Sequence, residues 1–359
     1  MGADAVTEQR THTLKEIFSQ PQCWKECLRQ LSSSEKVAAA ARMAKPGTEW
    51  ILIGCGSSYY LALAAAATFN HLGLPARAIP ASEILLYPEL SMPKGRECVP
   101  VMISRSGLTS EVLRATRELE RRTVKTIAIT CADGQPLETL ASITIKLVAA
   151  DEKSTVMTRS FTSMLLGLQY LAATVSGNEA FRKTLLEMPD QVFPLLQDIP
   201  TNLRAFVQAN KFADYVFLAQ GALFGIANEA MLKVTESSCS YAQVFHTLEF
   251  RHGPKSIAAP ETLISFFISE RSSDDEISVL EEMKQLGART FVVANKVTDR
   301  IRKAADFTIE LGLTVPEVTR LAAFTMWGQL YGVYTGLEKG LNPDSPKNLS
   351  RVVVLDGQH

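Results

Sequence analysis

The chain has 359 residues, 46% hydrophobic and 21% charged, and 37 Lys and Arg against 38 Asp and Glu leave a formal net charge of -1. That length exceeds what one core usually supports, so two domains are expected. The balanced charge, without any Lys/Arg cluster, excludes the electrostatic footprint of a binder of nucleic acid or of an anionic membrane, and leaves a small-molecule site as the expectation.

In chain order, apolar residues recur at helical spacing through Leu14, Ile17 and Phe18 and again through Trp24, Leu28 and Leu31, which predicts helices ahead of the first domain. From Glu49, β-like apolar runs alternate with helical stretches: strand 50–54, helix 58–72, strand 76–80, helix 82–88, strand 98–103, helix 108–121, and strands 125–130 and 143–147. A long apolar helix through Phe161, Met164, Leu165, Leu168 and Leu171 closes this half, and residues 180–210, with Pro189, Pro194 and Pro200, read as a connection. The order then returns as strand 214–219, helix 222–238, strand 263–268, helix 274–286, strands 290–294 and 306–310, and helix 317–338. Such alternation predicts an α/β chain of two tandem doubly wound parallel-sheet, flavodoxin-like domains. The expected divisions are an N-terminal helical segment 1–44, domains 45–182 and 183–340, and a turn-rich tail 341–359 that is ordered only where something docks it.

The two halves repeat at an offset of 165 residues: Gly56 answers to Gly221, Ser104 to Ser269 and Thr130 to Asn295. Two loops of the first half suit a phosphate dianion. Gly56-Ser57-Ser58 and Ser104-Arg105-Ser106-Gly107-Leu108-Thr109 each lie between a strand and a helix and offer glycine, hydroxyl donors and a helix N-terminus, with Ser106 or Thr109 also suited to cap the following helix. The plainer reading is that these residues are only caps and turns. Against it, the second copy replaces Gly107 by Ser272 and Thr109 by Asp274 and adds Glu270, Asp275 and Glu276, acidic groups that repel phosphate.

The second half keeps other chemistry. Glu229, Lys233 and Glu236 share one helix face, and the run Tyr241 to Lys255 carries His252 before a Gly-Pro pair. Read alone, these would be a surface salt bridge and a loop histidine satisfied by backbone groups. The six cysteines, Cys23, Cys27, Cys55, Cys98, Cys131 and Cys239, have no metal or redox spacing and are expected as buried or bystander thiols, so no metal and no cofactor are expected. The start of the chain lacks the basic and apolar regions of a signal peptide and no apolar stretch is long enough to span a membrane, which points to the cytoplasm and to no membrane partner.

Cys-Gly-Ser-Ser-Tyr at 55–59, Ser-Arg-Ser-Gly-x-Thr-x-Glu at 104–111, Thr-Arg-Ser-Phe-Thr at 158–162, the Glu236 helix, Glu-Phe-Arg-His-Gly-Pro-Lys at 249–255 and Asn-Pro-Asp-Ser-Pro-x-Asn-Leu at 342–349 together resemble the double sugar-isomerase (SIS) domain family. The resemblance covers roughly residues 45–355. It implies a phosphorylated sugar or amino-sugar substrate, with Ser58, Ser104, Ser106 and Thr109, beside Ser57 and Gly56, on the phosphate. It further implies Glu236 as the group that moves a proton between C1 and C2, His252 as the ring-opening group reaching the site of a neighbouring subunit in a homodimer, and Lys233 in a supporting role. The family's full synthases carry a glutamine-hydrolysing domain in front; none precedes the resemblance here, so a free-standing isomerase, amino-sugar phosphate deaminase or fructosamine-phosphate deglycase is expected.

One departure stands out. Where those synthases place a Schiff-base lysine after the Asn-Leu of the tail, this chain has Arg351, a guanidinium that forms no imine but suits a carboxylate or sugar oxygen. That leaves an enediol- or enamine-type proton transfer by Glu236. Two other classes are weaker: a non-catalytic phosphosugar sensor, which needs neither Glu236 nor His252, and a dehydrogenase, whose fingerprint lacks its third glycine at 54–59.

Overall fold

The computed structural model describes residues 11–92, 95 and 97–355, so residues 1–10 of the expected N-terminal segment and 356–359 of the expected tail lie outside the described residues. The chain divides into two compact units. The first holds Ser19–Pro189 with 350–355, and the second holds 11–18 with Asp190–Leu349. The expected N-terminal segment is thus divided after Phe18 and the expected tail after Leu349, for a local reason at each place. Helix α1 (His12–Phe18) takes its cap from the tail: the Asp344 carboxylate accepts the N–H groups of His12 and Thr13, both at 2.8 Å, and the Thr13 hydroxyl at 2.7 Å. A carboxylate on the exposed N–H groups of a helix start is favourable on both hydrogen-bond and dipole grounds. Residues 350–355 are held instead by the first unit, as described below.

The first unit is built on five parallel strands, β1 (Glu49–Gly54), β2 (Ala76–Pro80), β3 (Cys98–Ile103), β4 (Ile127–Thr130) and β5 (Ile143–Lys146), in the order β2-β1-β3-β4-β5. Its main helices are α2 (Gln20–Ser32), α3 (Glu35–Ala41), α4 (Ser57–His71), α5 (Ala81–Leu86), α6 (Ser110–Arg121) and α7 (Arg159–Ser176). Both sheet faces are covered, which is why β1 and β3 read as nearly continuous apolar runs rather than alternating ones. Ile51, Ile53 and Met102 pack with Ile84 of α5 and Ala115 and Leu119 of α6, while α7 buries Phe161, Met164, Leu165 and Leu168.

Helix α8 (Glu179–Val192) contains the boundary, and helix α9 (Ile199–Ala209) leads to the second sheet. Its strands are β6 (Asp214–Ala219), β7 (Ala242–His246), β8 (Thr262–Ile268), β9 (Arg289–Ala294) and β10 (Phe307–Glu310), in the order β10-β9-β8-β6-β7, which read from the other edge repeats the first sheet. Strand β7 is not among the strands read from sequence. It is an edge strand whose residues are at most half-buried, so it carries no apolar alternation, and its pairing with β6 alone makes it a strand. Helices α10 (Leu223–Ser238), α11 (Ser273–Gln285), α12 (Asp299–Ala304) and α13 (Leu321–Glu338) complete the unit, and the helix expected to start at 317 begins as a 3-10 turn over Glu317–Arg320. Among the described residues no helix is long and apolar enough to cross a membrane.

Helices α10 and α13 approach closely enough that side chains are excluded between them. A Cβ on Gly332 would lie 2.7 Å from the Lys233 carbonyl, and one on Gly336 would lie 2.1 Å from the Ser237 carbonyl oxygen. This spacing, i and i+4 on one face, lets backbone meet backbone and seals α10 inside the unit. Gly332→Ala is therefore expected to destabilise the second unit by about 1–3 kcal/mol, because main chain must move to accept the methyl group. A lowered urea midpoint at unchanged slope is the measurement, and an unchanged midpoint would show that the two helices separate freely.

Candidate functional site

At the carboxyl ends of β1 and β3, where the strand order of the first sheet reverses, the two Ser/Gly loops lie as a doubly wound sheet requires of a ligand site. Gly54 cannot carry a side chain there, since a Cβ would meet the Ser58 main chain at 2.5 Å, and Gly56 turns into α4 with φ +54°. Ser57 and Ser58 are buried at the start of α4, with the Ser58 hydroxyl directed at the Met157 sulfur at 3.8 Å. In the second loop the Ser104 and Thr109 hydroxyls lie 3.1 Å apart, Ser104 Oγ accepts the Gly107 N–H at 3.1 Å, and Ser106 Oγ accepts the Leu108 N–H at 3.2 Å. Thr109 is the N-cap residue of α6, yet no side-chain cap bond forms there, so the expected capping by Ser106 or Thr109 is corrected: these hydroxyls serve the loop and not the helix. Beside them, burial first and then Glu111 push the Cys55 thiol up to about 11, so it is un-ionised and no nucleophile at neutral pH.

Behind the second loop stands a buried carboxylate. Glu152, 2% exposed, accepts from Arg105 Nη1 at 3.1 Å, from the Thr158 N–H and hydroxyl at 3.0 and 2.8 Å, and from the Ser160 N–H and hydroxyl. Arg105 also donates to the carbonyls of Ser154, Thr155 and Arg351. Arg351, expected to hold a substrate oxygen, places its guanidinium on Asp151 at 2.6 Å. The sequence reading passed over Glu152, although the Thr-Arg-Ser of 158–160 that saturates it lay within the quoted motifs.

The second unit shows what happened to the duplicated loop. Ser57 and Ser58 are answered by Ala222 and Leu223, which carry no hydroxyl. At the end of β8, the fully buried Glu276 turns into the loop and accepts the Ser269 N–H at 2.9 Å, the Ser269 hydroxyl at 2.7 Å and the Thr247 hydroxyl at 3.4 Å. The chain thus supplies its own carboxyl group where the first unit presents hydroxyls. Glu111, the counterpart of Glu276 by the repeat, makes no such bond, and its Oε2 is buried without a hydrogen-bond partner. Comparing the two copies position by position is the signal that would have found Glu276.

Helix α10 carries Glu229, Lys233 and Glu236, and the expected alternative of a surface salt bridge is corrected by burial: Lys233 and Glu229 are both 0% exposed, Nζ lying 3.3 Å from Glu229 and in close contact with Glu236. Burial pulls the Lys233 ammonium down, but the Glu229 and Glu236 carboxylates outweigh it and hold its pKa above the ordinary lysine value. Glu236 is the member whose side chain still reaches solvent, at 19% exposure. His252 is exposed, in a loop pinned on both sides because Arg251 and Lys255 share Glu282 at 2.8 and 2.7 Å. The described hydrogen bonds and ion pairs therefore join Lys233 to both carboxylates and leave His252 on its own loop. At the ends of β6 and β7, His246 stacks on Phe224 at 3.7 Å and meets Gln220 at 3.2 Å, a pair the sequence reading did not single out. Among the described residues no group of three or more His, Cys, Asp or Glu side chains is placed to hold a metal ion.

Comparison with known proteins agrees with this doubled arrangement. The family profile described as the SIS domain matches residues 46–174 and 213–334. The isomerizing glutamine–fructose-6-phosphate aminotransferase of Pyrobaculum aerophilum is 24% identical over 354 residues, 96% of this chain and 57% of that protein, and its counterpart in Chlamydia caviae is 28% identical over 365 residues, 96% and 58%. The chain thus spans little more than half the length of these relatives. Among solved structures, tagatose-6-phosphate ketose/aldose isomerase from Escherichia coli shares the fold with a TM-score of 0.83 at 22% identity, covering 98% of this chain and 97% of that one. Glucosamine-6-phosphate deaminase from Thermotoga maritima gives 0.75 at 27% identity, covering 96% and 100%.

Burial pushes the Glu276 carboxyl up to about 7, against the pull of its bonds from Ser269 and Ser272. The folded chain then holds this proton more tightly than the unfolded chain, so its stabilisation is complete below the ordinary carboxylate range and is lost as pH rises through about 7. Relative to the parent protein, Glu276→Gln should gain on the order of 3 kcal/mol of unfolding free energy between about pH 4 and about pH 8. Urea unfolding at the two pH values checks this, and a constant difference would refute it.

Proposed function

We propose that this chain, which belongs to the SIS domain family over both of its halves, interconverts the aldose and ketose forms of a 6-phosphorylated amino sugar or related sugar, with release of ammonia or an amine. Glucosamine 6-phosphate to fructose 6-phosphate is the leading case, in line with the activities named for the relatives. The observation that carries the reading is the asymmetry of the two copies. One loop is closed by the carboxyl group of Glu276, and its counterpart offers the hydroxyls of Ser104, Ser106 and Thr109 with the glycine turn of Gly56 and the paired serines 57 and 58 beside them. Hydroxyls and free N–H groups where a strand turns into a helix are what a phosphate dianion needs.

The proposal assigns phosphate binding to the first unit and proton transfer to the second. Glu236 takes the proton from the carbon next to the carbonyl or imine and returns it to the neighbouring carbon through an enediol or enamine; with an amino sugar this leaves an imine at C2, to which water adds, its oxygen becoming the ketone oxygen as the C–N bond breaks and ammonia leaves. Lys233 lies against the Glu236 carboxylate and fixes its position on the helix face. His252 exchanges a proton with the ring oxygen, and as an exposed loop residue it suits service to the site of a neighbouring copy in a homodimer. Arg351, spent on Asp151, favours proton transfer without a covalent intermediate, and with it the second reading of a simple ketose/aldose isomerase or a fructosamine-phosphate deglycase.

Proton NMR with glucosamine 6-phosphate in D2O, followed by a coupled ammonia assay, tests the proposal. Fructose 6-phosphate with ammonia is expected; deuterium entering C2 without ammonia would assign the isomerase, and no exchange at all would sink the amino-sugar substrate. Glu236→Gln should cut turnover by roughly 100- to 10,000-fold while leaving phosphosugar binding in place. Ser106→Ala should instead weaken binding by about tenfold, the loss of one hydrogen bond to an anion. Full turnover in the Glu236 variant would refute the assigned base.

A further inference from the structure

Arg105 sits in the middle of the phosphate loop, where a sequence reader would expect its charge to meet the phosphate. The structure spends it elsewhere. Its side chain is 5% exposed, and its two terminal nitrogens make four bonds: Nη1 to Glu152 Oε1 at 3.1 Å and to the Ser154 carbonyl at 3.3 Å, Nη2 to the Thr155 carbonyl at 3.0 Å and to the Arg351 carbonyl at 2.6 Å. Its own carbonyl is held from the far side by the Thr130 hydroxyl at 3.1 Å and the Cys131 N–H at 3.0 Å. The residue between Ser104 and Ser106 is therefore fixed through main chain and side chain alike. Only a planar fork with several donors can satisfy this set of acceptors at once.

The second copy is an internal control. Glu270 occupies the place of Arg105, and Glu317 that of Glu152. There the loop residue has the opposite charge and is clasped from both its side chain and its main chain: Glu270 pairs with Arg320 at 2.7 Å, and the Glu270 N–H donates to the Glu317 carboxylate. A clasp at this point of the loop thus persists where the hydroxyl pattern of a phosphate loop has gone, which separates its purpose from direct contact with phosphate.

We infer that Arg105 is a positioning residue: it clasps the buried Glu152 carboxylate and the carbonyls of 154, 155 and 351, and so holds the hydroxyls of Ser104, Ser106 and Thr109 in register without itself binding the phosphate. The inference rests on reading 104–109 as a phosphate loop and adds the part that shapes it. Its consequence is that charge at position 105 is not enough. A lysine keeps the charge and loses the fork, so Arg105→Lys behaves like Arg105→Gln.

The test is calorimetric titration of the full chain with inorganic phosphate. Arg105→Lys, Arg105→Gln and Glu152→Gln should each weaken binding by about tenfold, and the double variant Arg105→Gln/Glu152→Gln should be within about twofold of either single one, because all remove the same clasp. Lysine retaining wild-type affinity, or effects that add in the double variant, would overturn the inference and make Arg105 a phosphate ligand. Absence of phosphate binding in the wild-type chain, with Ser104→Ala no different, would overturn the phosphate reading and the inference with it. Should the variants fail to fold, nitrogen-15 NMR of the wild-type chain serves: the Arg105 guanidinium signals should stay in place on adding phosphate while the loop amides move. A guanidinium shift as large as those of the loop amides would count against the clasp.

Discussion

The first unit depends on a buried ion pair, Arg105 with Glu152. Taking two charges out of water costs several kcal/mol for each, and their attraction repays this only when the remaining lone pairs and protons are also satisfied. Here they are. Glu152 takes N–H and hydroxyl bonds from Thr158 and Ser160, and Arg105 gives the rest of its terminal donors to three carbonyls. A satisfied network of this kind ties together three stretches far apart in the chain: 104–105, 152–160 and 351. The neighbouring Ser110 adds to it, its N–H reaching the Val353 carbonyl at 3.3 Å and its hydroxyl accepting from the Leu355 N–H at 3.0 Å. This is why 350–355 belongs to the first unit while the residues just before it belong to the second.

The second unit solves the same geometric problem with different charges. Parallel strands of a doubly wound sheet end in loops whose N–H groups and hydroxyls converge, and something must accept from them. In one copy Glu276 does so from within the chain; in the other, serine and threonine hydroxyls bond to one another and to the loop amides, an arrangement that a ligand can take over. Duplication therefore produced two loops of one design, of which one receives a carboxyl group from its own chain and the other keeps its hydroxyls.

Helix α10 shows how far packing can change the meaning of a residue pattern. Glu229, Lys233 and Glu236 at i, i+4 and i+7 are what an ordinary solvated helix face looks like, and such a pair in water contributes a few tenths of a kcal/mol. The glycines of α13 bring its backbone against the backbone of Lys233, and the pair disappears from solvent. An ammonium with no exposure must be matched by carboxylates, and Glu236 is the one that also faces outward.

Most of the fold was legible, because buried parallel strands such as Ile51–Ile53 and Val216–Leu218 leave apolar runs between helical stretches, and because the repeat gave each element a second witness. The edge strand β7 was not, since an edge with half-buried residues leaves no such run. The hydroxyl loops were legible as residue types suited to phosphate. That Arg105 turns away from them, that Glu276 closes the duplicate, and that the tail divides between the units were not, because each depends on which groups meet across long separations in sequence. The sequence by itself determined the doubled α/β plan and the chemistry available at the strand ends, since periodicity and residue type act locally. Only the tertiary structure decided which charges are buried and whom they face, since desolvation is a property of the surroundings and not of the residue.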